Sequence, residues 1–229
     1  MSWTQRIAVF DTETTGVDPL DSRIVTAFVG MLDAAGEVER GTDWLADPGV
    51  EIPEQAAAVH GITTEMAREN GEPAAVVVER IRDALDWIGR NRVPLVVFNA
   101  PFDLTLLEVE CERHGLTPPQ LGPQVVDPLV LDRAVDQYRK GKRTLTDLTG
   151  VYGVQLDDAH DASDDAIATG RLALALVARY PAELDIDLPD LHAQQQQWAE
   201  AQAASFEDYM RRQRDPNFTA HRGWPVRVR

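Results

Sequence analysis

From Gln5 to Asp11 the chain runs through Ile7, Ala8, Val9 and Phe10 without a polar break, which predicts a strand buried on both faces at the centre of a covered sheet. Arg23 to Asp33, carrying Ile24, Val25, Ala27, Phe28, Val29 and Met31, and then Val38 to Leu45 predict two further strands joined by a turn at Ala35-Gly36. Pro53 to Val59 predicts a short helix ahead of His60-Gly61. Between Ala74 and Arg90 the period changes: Val77, Ile81, Leu85 and Ile88 recur at helical spacing and predict a long amphipathic helix. Pro94 to Phe98 reads as another buried strand, feeding a helix from Pro101 to His114 whose proline sits where a missing N–H is harmless. Val125-Val126-Asp127 predicts a brief strand, Pro128 opens a helix, Thr144-Leu-Thr-Asp147 starts the next, and Asp161 to Arg179 forms the last of the core. Strands first, then strand and helix in alternation, predict an α/β layer fold with a mixed β-sheet flanked by helices.

Beyond Tyr180-Pro181 the character changes. His192 to Met210 is a glutamine- and alanine-rich helical pattern, followed by an arginine-rich end. From Asp190 onward six arginines face five carboxylates, so the acidity of a chain with net charge −16 belongs to its core. The expected division is a core domain over residues 1–185 and a helical extension with a basic tail over residues 186–229. Trp198, Phe206 and Tyr209 give that extension an aromatic face for docking on the core, on a second copy or on a partner.

The 229 residues suffice for one well-buried core. No apolar run approaches the roughly 18 residues of a membrane helix, the first residues lead into a strand without a secretory pattern, and the single Cys111 forms no internal disulfide. These features lead to the expectation of a cytoplasmic protein without a membrane partner. The acidity argues against a broad duplex-gripping face, since such affinity comes from Lys and Arg on phosphates; it permits a site that meets a chain end through metal ions.

Candidate chemistry lies at the ends of the predicted elements. Asp11 and Glu13 in Phe10-Asp-Thr-Glu-Thr-Thr-Gly16 alternate along a strand, so both can project to one face. Asp103, in Asn99-Ala-Pro-Phe-Asp103, follows a buried strand and falls in a first helical turn, where a carboxylate could equally serve the helix terminus. In His160-Asp-Ala-Ser-Asp-Asp165, Asp165 lines up with Ala168, Thr169, Leu172 and Leu176 on the apolar stripe, whereas Asp164 lines up with Arg171 towards solvent. A carboxylate heading a buried stripe is costly unless something pairs with it. Acids gathered this way repel one another and call for divalent cations.

These residues resemble the motifs of the DEDDh, or DnaQ-like, 3′–5′ exonuclease family over roughly Arg6 to Arg179, in the family's order and spacing. The resemblance implies a ribonuclease-H-like fold with two Mg2+ or Mn2+ ions held by Asp11, Glu13, Asp103 and Asp165, and His160 as general base. It implies hydrolysis of single-stranded or frayed DNA, or of RNA, from the 3′ end, with release of nucleoside 5′-monophosphates. Thr14, His60 in Val59-His60-Gly61-Ile62-Thr63, and Phe102 take the places of substrate contacts; for His60 a helix-ending turn explains the sequence equally well. A DNA polymerase is the expected protein partner. One departure is Phe98, where many relatives carry histidine before the equivalent of Asn99, so an aromatic face stands in place of that contact. The competing reading is a non-catalytic module binding nucleic acid or a polymerase. Asp127, ahead of Pro128, reads as a helix cap, and Arg139, Lys140, Lys142 and Arg143 as a solvated basic loop that could track phosphate.

Overall fold

A computed structural model describes residues 2–157 and 159–229. Three long antiparallel strands come first: β1 (Arg6–Thr14), β2 (Ile24–Asp33) and β3 (Val38–Asp47). Helices α1 (Glu54–His60) and α2 (Thr64–Asn70) lead to the two-residue strand β4 (Glu72–Pro73) and the amphipathic α3 (Ala74–Arg90). Then follow β5 (Leu95–Val96), α4 (Asp103–Arg113), β6 (Val125–Val126), α5 (Pro128–Val135), α6 (Leu145–Tyr152), α7 (Ala162–Arg179), α8 (Pro181–Leu184) and α9 (Leu188–Gln213). The six-stranded mixed sheet has the order β4-β3-β2-β1-β5-β6, with β5 and β6 parallel to β1. This is the expected α/β architecture, with β1 central.

Both faces of the sheet are covered, as the unbroken apolar run of β1 requires. Ala8 and Phe10 join Val77, Ile81, Leu85 and Ile88 of α3 and Leu104 and Leu107 of α4 in one core layer. Ile7 and Val9 join Leu131 of α5, Leu148 of α6 and Leu172 and Leu176 of α7 in the other. Gly170 lets α7 approach closely: a Cβ there would lie 2.5 Å from Leu32 Cδ1 and 2.6 Å from Val9 Cγ1. That contact seats the middle of α7 against β1 and β2.

Three short elements, α2, β4 and α8, carry too little periodicity to have been expected. Thr63 caps α2 by accepting from Met66 N–H, and β4 gains only two paired residues on the edge of β3. Helix α4 begins at Asp103, two residues later than the sequence predicts, because Phe102 N–H returns to Asn99 C=O in a turn. Strand β1 continues through Thr14, past the expected end at Asp11.

The basic loop differs from its expected state. Arg139 and Arg143 are not solvated phosphate trackers: both pair with the fully buried Asp132, which also accepts from the Tyr152 hydroxyl at 2.8 Å. A carboxylate in that position is tolerated only when its oxygens are paired.

Helix α9 packs along β6 and α5. Gln195 takes the role of a neighbouring strand for the sheet edge: its Oε1 accepts from Asp127 N–H at 2.7 Å and its Nε2 donates to Val125 C=O at 3.1 Å. Left bare, each of those buried backbone groups would cost about 1–3 kcal/mol. After α9 the chain returns to the core, where buried Trp224 donates Nε1–H to Asp127 Oδ2 at 3.3 Å and Arg227 N–H donates to Thr105 Oγ1 at 2.9 Å. No helix among the described residues is long and apolar enough to cross a membrane.

Candidate active site

The carboxyl end of β1, the N-termini of α4 and α7 and the loop before α7 meet at one place. Alternation along β1 turns Asp11 and Glu13 the same way, both half-buried, while Thr12 and Thr14 between and beyond them are buried. Asp103 reaches the site from the first turn of α4 and is almost wholly buried; its Oδ1 accepts from the Thr12 hydroxyl at 2.6 Å. Asp161 caps α7 by accepting from Ser163 N–H and Asp164 N–H, which sets the direction of the helix. That cap places Asp165 over β1 at the head of the buried stripe.

Glu13, His160 and Asp165 each offer one ligand atom within 4.8 Å of the others. His160 N–H donates to Asp165 Oδ2 at 3.3 Å, from a backbone at φ 75°. Asn99, at the start of the Asn99–Asp103 loop, has φ 55°. Left-handed backbone costs a residue with a Cβ about 1 kcal/mol or more, and both strained positions adjoin the acids.

The electrostatics report the crowding. Burial, followed by the carboxylates of Asp103, Asp165, Glu13 and Asp161, pushes the Asp11 carboxyl well above the usual range. Burial and the charges of Asp165, Asp103 and Asp161 push Glu13 up to about 8. Burial raises Asp103 to about 7 against the opposing pull of the Thr12 hydroxyl bond. Asp165 is raised by burial, with the His160 amide pulling the other way. A set of carboxylates held back from ionising by burial first and by neighbouring charges second is one that a cation would stabilise. The buried Asp165 Oδ1 has no hydrogen-bond partner among the described residues, so one oxygen is left for a further ligand. The group that lies together, the carboxylates of Glu13 and Asp165 with the His160 imidazole, has the charges of Asp11 and Asp103 acting on it, and oxygen donors of this kind suit a hard divalent ion such as Mg2+ or Mn2+.

Of the other expected contacts, His60 is half-buried beside His160; its Nδ1 accepts from Ile62 N–H at 3.2 Å and its buried Nε2 is unpartnered. Burial pushes this imidazole below its usual range, with the charge of His160 acting in the same sense. Thr14 spends its hydroxyl within its own turn, donating to Gly16 C=O at 2.6 Å. Phe102 is half-buried against the α3–α4 core, and Phe98 packs against the core on the α7 side. Thr12 and Asp161 lie inside the quoted motifs and support the site, Thr12 by its hydroxyl on Asp103 and Asp161 as the cap of α7. Asp127, expected as a cap, does accept from Leu129 N–H and also binds Asn99 N–H and Ala100 N–H, each at 3.0 Å, so it anchors the loop that delivers Asp103.

Residues 8–173 match the RNase_T family, described as exonuclease. The chain is 31% identical over 182 residues to a PolC-type DNA polymerase III of Listeria welshimeri, covering 80% of this chain and 12% of that protein. It is 32% identical over 171 residues to the PolC-type polymerase of Lacticaseibacillus paracasei, covering 73% and 11%. The chain thus spans only about an eighth of the length of these relatives. Among solved structures, E. coli exonuclease I in complex with a dT13 oligonucleotide superimposes with a TM-score of 0.64 at 24% identity, over 78% of this chain and 42% of that one. The nuclease domain of 3′hExo, a DEDDh family member bound to rAMP, gives a TM-score of 0.64 at 17% identity over 80% and 96%. With the match covering the whole stretch that carries Asp11, Glu13, Asp103 and Asp165, this chain belongs to the RNase_T exonuclease family.

Proposed function

We propose that the protein is a metal-dependent 3′–5′ exonuclease acting on single-stranded or frayed 3′ ends and releasing nucleoside 5′-monophosphates. The observation that carries this reading is the convergence of Asp11, Glu13, Asp103 and Asp165 on one site with His160 beside them, where an unpartnered Asp165 oxygen and raised carboxyl groups call for cations. In this reading Asp11, Glu13, Asp103 and Asp165 hold two Mg2+ or Mn2+ ions. Bound there, such ions supply charge neutralisation at the scissile phosphate and an acidified water.

The remaining chemistry belongs to the chain's own residues. His160 stands at the solvent-exposed lip of the site, beside Glu13 and Asp165, and acts as general base. The bond from its amide to Asp165 ties the position of the base to that of a ligand. Thr12 and Asp127 hold Asp103 and its loop in place. His60, Thr14 and the face of Phe102 surround the terminal nucleotide. The likeness to polymerase-borne exonuclease segments and to a fold that binds oligo(dT) supports a DNA 3′ end as substrate and a DNA polymerase as partner. The single buried cysteine fits a reducing cytoplasm.

A time course on 5′-labelled single-stranded DNA and RNA, and on matched and 3′-mismatched duplexes, with Mg2+ or Mn2+, tests this. The expected result is a metal-dependent ladder that shortens one nucleotide at a time from the 3′ end, fastest on single strands and mismatches. Internal nicking, shortening from the 5′ end, or no metal-dependent cleavage would overturn it.

A further inference from the structure

A groove of about 910 Å³ runs from Asn99 and Pro101 along α5, between α9 and the returning C-terminal segment. Its first wall is the loop that ends in Asp103, so the groove and the acidic site share one piece of chain. In a molecule of net charge −16 its lining is the reverse of the average: Arg133, Arg143, Arg227 and His221 face it, and its single carboxylate is Asp127. Asp127 is buried and its oxygens accept from Asn99, Ala100 and Leu129 amides and the Trp224 indole, and its charge acts on Arg133 without a direct ion pair.

Two of those cations form no ion pair, although the charges of Asp127 and Asp132 act on Arg133 and that of Asp18 acts on Arg227. Elsewhere in this region Arg139, Arg143, Arg211, Arg222 and Arg229 all pair with carboxylates. Exposed Arg133 and half-buried Arg227 have no ion-pair partner within 4 Å among the described residues. Beside them Tyr209 and Phe206 are each 51% exposed, the latter edge-on to Phe218 at 5.4 Å. Guanidinium groups without an ion pair, lining one groove with accessible aromatic rings, are what a single-stranded nucleic acid requires: the former meet phosphates, the latter base faces. An apolar helix seated there would leave both guanidinium groups unanswered.

We propose that this groove carries the nucleotides upstream of the 3′ terminus, with Arg133 and Arg227 on phosphates and Tyr209 and Phe206 under bases. The inference rests on the exonuclease reading of the neighbouring site. It gives the C-terminal extension a task in substrate holding, and it explains how an acidic chain retains a strand without a broad basic face.

The test is fluorescence anisotropy of a 5′-fluorescein oligo(dT) of about 12 nucleotides with the full chain, in EDTA, across a range of salt. Replacing both arginines (Arg133→Ala with Arg227→Ala) should weaken binding about tenfold and reduce the salt slope by roughly 1.4, at about 0.7 per lost phosphate contact. Because that pair could disturb the C-terminal segment, the exposed groove residue Gln137 supplies a second variant: Gln137→Glu should weaken binding in the same direction without touching a packed contact. Unchanged affinity and slope in the folded variants, or a wild-type chain that does not bind the oligonucleotide, would overturn the groove assignment. Groove-dependent binding without any metal-dependent cleavage would uphold the groove and remove the exonuclease reading instead.

Discussion

Replacing Asp11 by asparagine should lower the rate of metal-dependent hydrolysis by on the order of 10³-fold, while raising the melting temperature of the metal-free protein. Both effects have one cause. Burial opposes the ionisation of Asp11, and the charges of Asp103, Asp165 and Glu13 add to that opposition. Asparagine keeps the size and one carbonyl oxygen but removes the charge, so the cation that offsets transition-state charge is held poorly, and losses of this kind run to about 10²–10³-fold or beyond. The same change relieves like-charge repulsion in the native state, an effect present only when no cation is bound. Single-turnover cleavage of a labelled oligonucleotide gives the first quantity and thermal unfolding in EDTA gives the second. Wild-type rates with Mg2+ would remove Asp11 from the site, and a lower metal-free melting temperature would contradict the repulsion argument.

Metal-free protein should also lose stability as pH rises from about 5 to about 9 and regain it with Mg2+ or Mn2+. The folded-state values for Glu13 and Asp103, about 8 and about 7, lie above the ordinary carboxylate values near 4. Between those limits the native state binds more protons than the unfolded chain, so the free energy of unfolding falls as pH climbs. The stabilising contribution is complete below about pH 4 and lost as the pH passes through the folded-state values. A cation that binds only the folded state at about 100 times its Kd adds about 2.7 kcal/mol, which at about 2–4 °C per kcal/mol is a rise of roughly 5–10 °C. Differential scanning fluorimetry in EDTA and in excess Mn2+ across this pH range reads both effects. A melting temperature that climbs steadily to about pH 9 in EDTA, or that ignores the metal, would contradict the account.

What the sequence disclosed depended on how local each signal is. The stripe of Val77, Ile81, Leu85 and Ile88 named its own partner face, and the four residues are buried together as expected. Helical spacing alone singled out Asp165 over Asp164; both are half-buried, and it is Asp165 that lies with Glu13 and His160. The meeting of the acids was readable because each lies where an apolar element ends, and the carboxyl ends of parallel strands share one side of a sheet. Contacts made by residues far apart in sequence left no such trace. Nothing in Gln194-Gln-Gln-Gln197 says that Gln195 will finish the edge of β6, and Asp132 gives no sign that it will gather Arg139 and Arg143. The groove escaped for the same reason: Asn99, Arg133, Tyr209 and Arg227 become neighbours only after α9 folds back along α5 and the last residues return to α4.

The central claim is that these carboxylates cage divalent ions, and anomalous diffraction from crystals grown with Mn2+ and a nucleoside 5′-monophosphate addresses it most directly. The account predicts manganese peaks about 2.1 Å from oxygens of Asp11, Glu13, Asp103 and Asp165, with the nucleotide phosphate against them. A structure with no peak among these four side chains, or with manganese bound only elsewhere, would contradict it.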